Sequence, residues 1–135
     1  MNGKVTVVTL IVNDQDAALT FYTEKAGFVK KTDLTGPGGY RWVTVGLAGQ
    51  DLELALFRAG PDPNDPSRHY APGSSPAIVI AVSDCLRTFE ELKGRGVRFQ
   101  QPRPEVHPWG TTATFSDPDG NRFSINQLKQ YGASA

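Results

Sequence analysis

"PAIVIAVSDCLRTFEELKGRG", Pro76 to Gly96, decides the fold. Its opening is short, apolar and rich in β-branched residues, which predicts a strand. Asp84 follows as a helix N-cap, and "CLRTFEELKGRG" is a helix that runs out at Gly94 or Gly96. The same order stands earlier in the chain. "VTVVTLIV" (Val5 to Val12) is a strand and Asp14 is a cap. Ala17, Ala18, Phe21 and Tyr22 then fall at helical spacing before a stop at Gly27. The chain is therefore written twice.

Each strand and helix is followed by strand-like runs. In the first half these are "FVKKTDL", "YRWVTVGL" and "DLELALF"; in the second they are "VRFQQ", "GTTATFS" and "RFSINQL". An internal repeat of this kind predicts an α+β fold, two tandem βαβββ modules forming a curved mixed sheet around a central cleft. One domain spans residues 1–135, with module one at 4–58, a connector at 59–75 and module two at 76–129. The connector carries Pro61, Pro63, Pro66 and Pro72, which predict an irregular segment. Its length suggests a lid or a dimer arm. The caps Asp14 and Asp84 align Val7 with Ala77. Gly49 and Gly120, both in the last turn of their module, align Glu53 with Ser124.

Composition narrows the function. With 135 residues, 39% hydrophobic and 21% charged, the chain reads as an ordinary globular domain. Fourteen basic and fourteen acidic residues cancel, so bulk charge recruits neither nucleic acid nor an anionic membrane. No apolar run approaches the roughly 20 residues of a membrane span, and the start has no signal-peptide layout. Cys85 is the single cysteine, which fits a reducing cytoplasm. Its place beside a helix start leaves two readings: an activated thiol, or a small buried packing residue, the commoner case.

The segments "VNDQDAALTFYTEKAGF", "DLELALF", "AIVIAVSD" and "WGTTATFSDPDGNRFSIN" resemble the vicinal oxygen chelate superfamily, which includes glyoxalase I, extradiol dioxygenases, fosfomycin-resistance proteins and bleomycin-binding proteins. In the metalloenzymes of that family, four strand residues hold a divalent metal, two from each module. The resemblance places those positions at Val7, Glu53, Ala77 and Ser124. Glu53 alone is a competent ligand. His69 and His107 stand in Pro-rich stretches without a second His at ligand spacing, so a site built from Glu53, His69 and His107 is the weaker alternative. The reading is therefore of a protein with no metal and no cofactor.

Without a metal, the cleft becomes an organic pocket. Alternation in "DLELALF" puts Leu52, Leu54 and Leu56 on one face and Glu53, Ala55 and Phe57 on the other. The leucines suit the core, so Glu53, Ala55 and Phe57 face the cleft. Glu53 is the one catalytic candidate, as a general base or a hydrogen-bond acceptor. The candidate ligand-binding residues are Trp42, Glu53, Phe57, Tyr70, His107, Trp109, Phe115 and Ser124. The aromatic members would give a stackable lining, or else fill the core. Trp42 fits either face. Trp109 begins a "WG" pair, which the resemblance places at a pocket mouth. Arg41 and Arg122 read as solvated surface charges.

These observations support a metal-independent, cytoplasmic protein that resembles the bleomycin-resistance branch and sequesters a small aromatic natural product or antibiotic. The resemblance implies a homodimer. The alternative is an enzyme, a glyoxalase-type lyase, isomerase or dioxygenase acting on a small metabolite through Glu53 or a divergent metal site. No Ser/His/Asp or Cys/His set favours it. A regulatory scaffold is a third reading, supported only by the lack of catalytic groups.

Overall fold

The structure is a computed structural model and describes residues 1–62 and 65–129. Module one begins with strand β1 (Val7–Val12) and helix α1 (Gln15–Thr20), which continues as a π-helical turn over Phe21–Lys25. The Asp14 side chain caps α1 by accepting from the Ala17 amide at 2.9 Å, as its sequence position predicts. Gly27 follows with φ +82°, the left-handed stop that glycine adopts at no steric cost. Strands β2 (Val29–Thr35), β3 (Arg41–Gly46) and β4 (Glu53–Arg58) complete the sheet, in the order β1-β4-β3-β2. The β1–β4 pair is parallel and the others antiparallel.

The connector is not irregular. Strands β5 (Gly60–Asp62) and β6 (Asp65–Tyr70) form an antiparallel hairpin in which Pro61 stands opposite His69. Proline is tolerated here because both strands of a two-stranded hairpin are edges, so an amide facing outward is dispensable. Pro63 lies outside the described residues.

Module two repeats the plan with β7 (Ile78–Ala81), α2 (Cys85–Gly94), β8 (Glu105–His107), β9 (Gly110–Ser116) and β10 (Arg122–Leu128). Its sheet runs β7-β10-β9-β8, with β7 and β10 parallel. Asp84 caps α2 through the Arg87 amide at 3.0 Å. The expected strand "VRFQQ" does not form. Phe99 makes one isolated bridge to Phe115, and the outer strand is Glu105–His107 instead. Two causes are visible. The Phe99 ring turns into the core against Phe89 (4.5 Å) and Phe115 (5.4 Å). Pro102 and Pro104 then follow without amide donors, so the ladder cannot continue until Glu105.

The register expectation also shifts. Val7 pairs with Glu53, but Ser124 pairs with Val79; Ala77 precedes β7 and lies beside neither. The strand before the cap is thus displaced by one pleat repeat between modules, which keeps each face but changes each neighbour.

The two sheets share no ladder. They are joined by one hydrophobic core that includes Leu10, Val12, Leu54 and Leu56 from module one and Phe89, Phe115, Phe123 and Ile125 from module two. The Tyr22 ring meets Phe28 and Phe123 edge-on at 5.5 and 5.7 Å. The "DPDGN" turn, Asp117 to Asn121, reaches across the same boundary. Asp117 accepts the Tyr22 hydroxyl at 2.6 Å, Asn121 Nδ2 donates to the Ile11 carbonyl at 2.9 Å, and Asn13 donates to Asp119 Oδ1 through its backbone (3.0 Å) and its side chain (2.9 Å). The turn is an inter-module clasp as well as a hairpin turn. No helix among the described residues is long and apolar enough to cross a membrane.

Candidate functional site

The face of the β1–β4 sheet turned away from the core carries the chemistry. In β3, Val43 and Val45 are buried in the core, so Trp42 and Thr44 take the other side. In β4, Leu54 and Leu56 are in the core and Glu53, Ala55 and Phe57 share the side of Thr44, which stands opposite Ala55. Gln15 fixes the strands from the helix start: its Nε2 donates to the carbonyls of Arg41 (3.1 Å) and Leu56 (2.8 Å).

Three rings run along this face. Trp42 and Phe57 meet at 5.9 Å with planes 79° apart, and Phe57 and Tyr70 at 6.1 Å and 89°. All three are half-buried. Tyr70 comes from the hairpin, where its hydroxyl donates to Asp62 Oδ2 at 2.9 Å; that bond raises the phenol pKa. Glu53 stands at the other end of β4. Its Oε1 accepts from Thr44 Oγ1 in a short contact and from Thr32 Oγ1 at 3.4 Å. Thr32 and Thr44 were not among the sequence candidates. The alternation of Trp42 and Thr44 with two core valines is the signal that identifies Thr44; Thr32 follows only from its cross-strand pairing with Thr44.

The remaining candidates fall elsewhere. His107 and Trp109 stack on each other at 4.8 Å, nearly parallel, where β8 turns into β9. Ser124 joins a hydroxyl and amide cluster on the outer face of β9 and β10. It donates to Asn126 Oδ1 at 2.6 Å and lies 2.9 Å from Thr112 Oγ1. Phe115 is 1% exposed and stacks on Phe123 at 5.1 Å, so its ring is core and not available to a ligand. Cys85 is fully buried, with Sγ directed at the Ile125 carbonyl, and burial raises its thiol pKa; this is the packing role. Arg41 is not a free surface charge. It grips Asp33 through Nε (2.9 Å) and Nη2 (2.8 Å) and Asp16 through Nη1 (2.6 Å), and it holds the Asp33 carboxyl below its ordinary range.

The donor set does not fit the metal that the fold family implies. Glu53 has Val7 beside it, Ser124 has Val79 beside it, and its hydroxyl is engaged with Asn126 and Thr112. An aliphatic side chain offers no lone pair, and one carboxylate with one hydroxyl makes a poor site for a divalent ion. His69 lies in the hairpin strand β6, and His107 stacks on Trp109 where β8 turns into β9. Among the described residues, no three His, Cys, Asp or Glu side chains converge to hold a metal ion.

Residues 4–125 match the Glyoxalase/Bleomycin resistance protein/Dioxygenase superfamily. The chain belongs to this superfamily. YurT, an uncharacterized protein of Bacillus subtilis (strain 168), is 34% identical over 128 residues, covering 92% of this chain and 98% of YurT. Among solved structures, TnmS3, an antibiotic binding protein from Streptomyces sp. CB03234, is 35% identical with a TM-score of 0.76, covering 94% of this chain and 97% of TnmS3. UcmS2 is 36% identical with a TM-score of 0.81, covering 93% and 98%. Antibiotic binding thus occurs among the structural relatives of this superfamily member.

Proposed function

We propose that this chain is a metal-independent binding protein that sequesters an aromatic natural product or antibiotic in the cytoplasm, as a homodimer. One observation carries the reading: the half-buried row Trp42, Phe57 and Tyr70 on a sheet face that the core does not use. Half-buried rings keep exposed surface for a further aromatic ring, and each aromatic pair contributes about 0.5–1.5 kcal/mol beyond the area it buries. The likeness to TnmS3 supports this choice of ligand class. The chemistry of the remaining residues supports binding over turnover. Cys85 is sealed in the core with its thiol pKa raised, and Ser124 lies against Thr112 and Asn126, not against a base. His107, Trp109 and Ser124 would supply a second lining from module two.

The test uses the fact that the chain has two tryptophans. In Trp109→Phe, Trp42 is the sole tryptophan. Titration with a panel of polycyclic aromatic antibiotics should quench its emission and raise the melting temperature, and Phe57→Ala should weaken both effects. Absence of quenching and of thermal shift across the panel would sink the proposal.

A further inference from the structure

We infer that Glu53 selects ligands bearing a hydrogen-bond donor, a phenolic hydroxyl or a protonated amine, and rejects anionic ones; this rests on the aromatic face being the ligand site. Only one Glu53 oxygen is engaged. Thr44 and Thr32 both donate to Oε1, and Oε2 has no protein donor among the described residues. A carboxylate is an acceptor only, with room for a donor at each oxygen. The threonines hold the side chain in place, so accepting from a ligand requires little further ordering.

The surroundings sharpen the preference. Glu53 and Phe57 lie on one face of β4 with the small Ala55 between them. Four residues at about 3.3 Å each separate their Cα atoms by roughly 13 Å. Ala55 and Thr44 are sealed at 0% exposure, so a fused ring system of that span would lie across the side chains that cover them, its far end on the aromatic row and its near end at Oε2. Val7 flanks Glu53 and brings no polar group. Arg68 lies over the Tyr70 ring at 5.8 Å, at the far end of the row from Glu53, and two further cations are taken up elsewhere. Lys31 crosses Gly46, and its ammonium donates to the Gln50 carbonyl at 3.0 Å. Arg41 is held by Asp33 and Asp16. A ligand carboxylate at Oε2 therefore meets like charge without compensation, and an ether oxygen there strips Oε2 of water while giving nothing back.

Calorimetric titration with hydroxyphenanthrene, its methyl ether and the corresponding carboxylate tests this. The wild type should bind the hydroxyl compound at least about tenfold more tightly than the ether, the worth of one hydrogen bond to a charged group, with the carboxylate weakest. Glu53→Gln, which keeps the shape and removes the charge, should bring all three within about threefold of one another. Equal wild-type binding of hydroxyl compound and ether overturns the inference and leaves the aromatic site standing. Retention of the wild-type ranking in Glu53→Gln also overturns it. Failure of all three compounds to bind overturns the site and the inference together. The wild-type series needs no variant, so it decides even if Glu53→Gln folds poorly.

Discussion

Replacing Tyr22 with Phe removes a single oxygen from the centre of the molecule. The ring stays, with its edge contacts to Phe21 (5.2 Å), Phe28 (5.5 Å) and Phe123 (5.7 Å), so packing changes little. What disappears is the 2.6 Å hydrogen bond to Asp117, between a side chain that is 0% exposed and one that is 5% exposed. Bonds of this kind to a charged group contribute about 1.5–3 kcal/mol, because the partner left behind is buried. Asp117 keeps donors from the Asn121 and Asp119 amides and from Asn121 Nδ2, so the lower half of that range applies, near 2 kcal/mol. For a chain of this size that is a drop of roughly 6–10 °C in Tm. Urea unfolding followed by circular dichroism should show a lower midpoint with an unchanged slope.

An alkaline limb adds a second readout. Burial, then the charge of Asp117, raises the Tyr22 pKa above its unfolded value of about 10. The unfolded chain therefore loses this proton first. The advantage of Tyr22 is full below about pH 10 and shrinks as pH rises past it. The stability gap between wild type and Tyr22→Phe should be flat from neutrality to about pH 9 and narrow above pH 10. A gap under about 0.5 kcal/mol at neutral pH, or one that persists unchanged at pH 11, would refute the clasp as described.

Three further outcomes follow from the same geometry. Cys85 should resist a thiol-reactive disulfide reagent in the native protein and react fully in denaturant; reaction at the rate of a free thiol would contradict its burial. Asp33→Asn should lose the grip of Arg41. The lowered pKa of Asp33 means its contribution is full above the unfolded value of about 3.9 and fades as pH falls through the folded one, so wild type and variant should converge in acid melts. Gly73→Ala should destabilise by about 1–3 kcal/mol, because Gly73 has φ +70° and an added Cβ would lie 2.6 Å from the Asp119 carbonyl oxygen; an unchanged melt would contradict that close approach.

The duplicated plan was legible because it is carried by local signals: two Asp caps, two β-branched strands and a purely aliphatic face on β4. Those signals act within a few residues and survive without tertiary context. The strand at Glu105–His107 was hidden because Phe99 obeys the core and two prolines delay the ladder, and "VRFQQ" has the better strand propensity. The connector hairpin was hidden because prolines read as irregularity wherever their amide side cannot be known. The candidate site was legible in part. Glu53 and Phe57 followed from alternation, but Phe115 could equally have lined a pocket, and only its stacking on Phe123 settles it as core. Thr32 could not be found at all, since the β-bulge between Lys30 and Thr32 decides which residue faces Thr44.

The clasp also sets a timetable. Tyr22 and its acceptor Asp117 are 95 positions apart, and Asn121 reaches back 110 positions to Ile11. As the chain leaves the ribosome, the first half emerges with its own strands, but Tyr22 and Phe28 lack the Phe123 ring they share in the finished protein. The clasp and the shared face of the core form only once "DPDGNRF" is synthesised, so the early half carries exposed apolar surface until almost the last strand has been made.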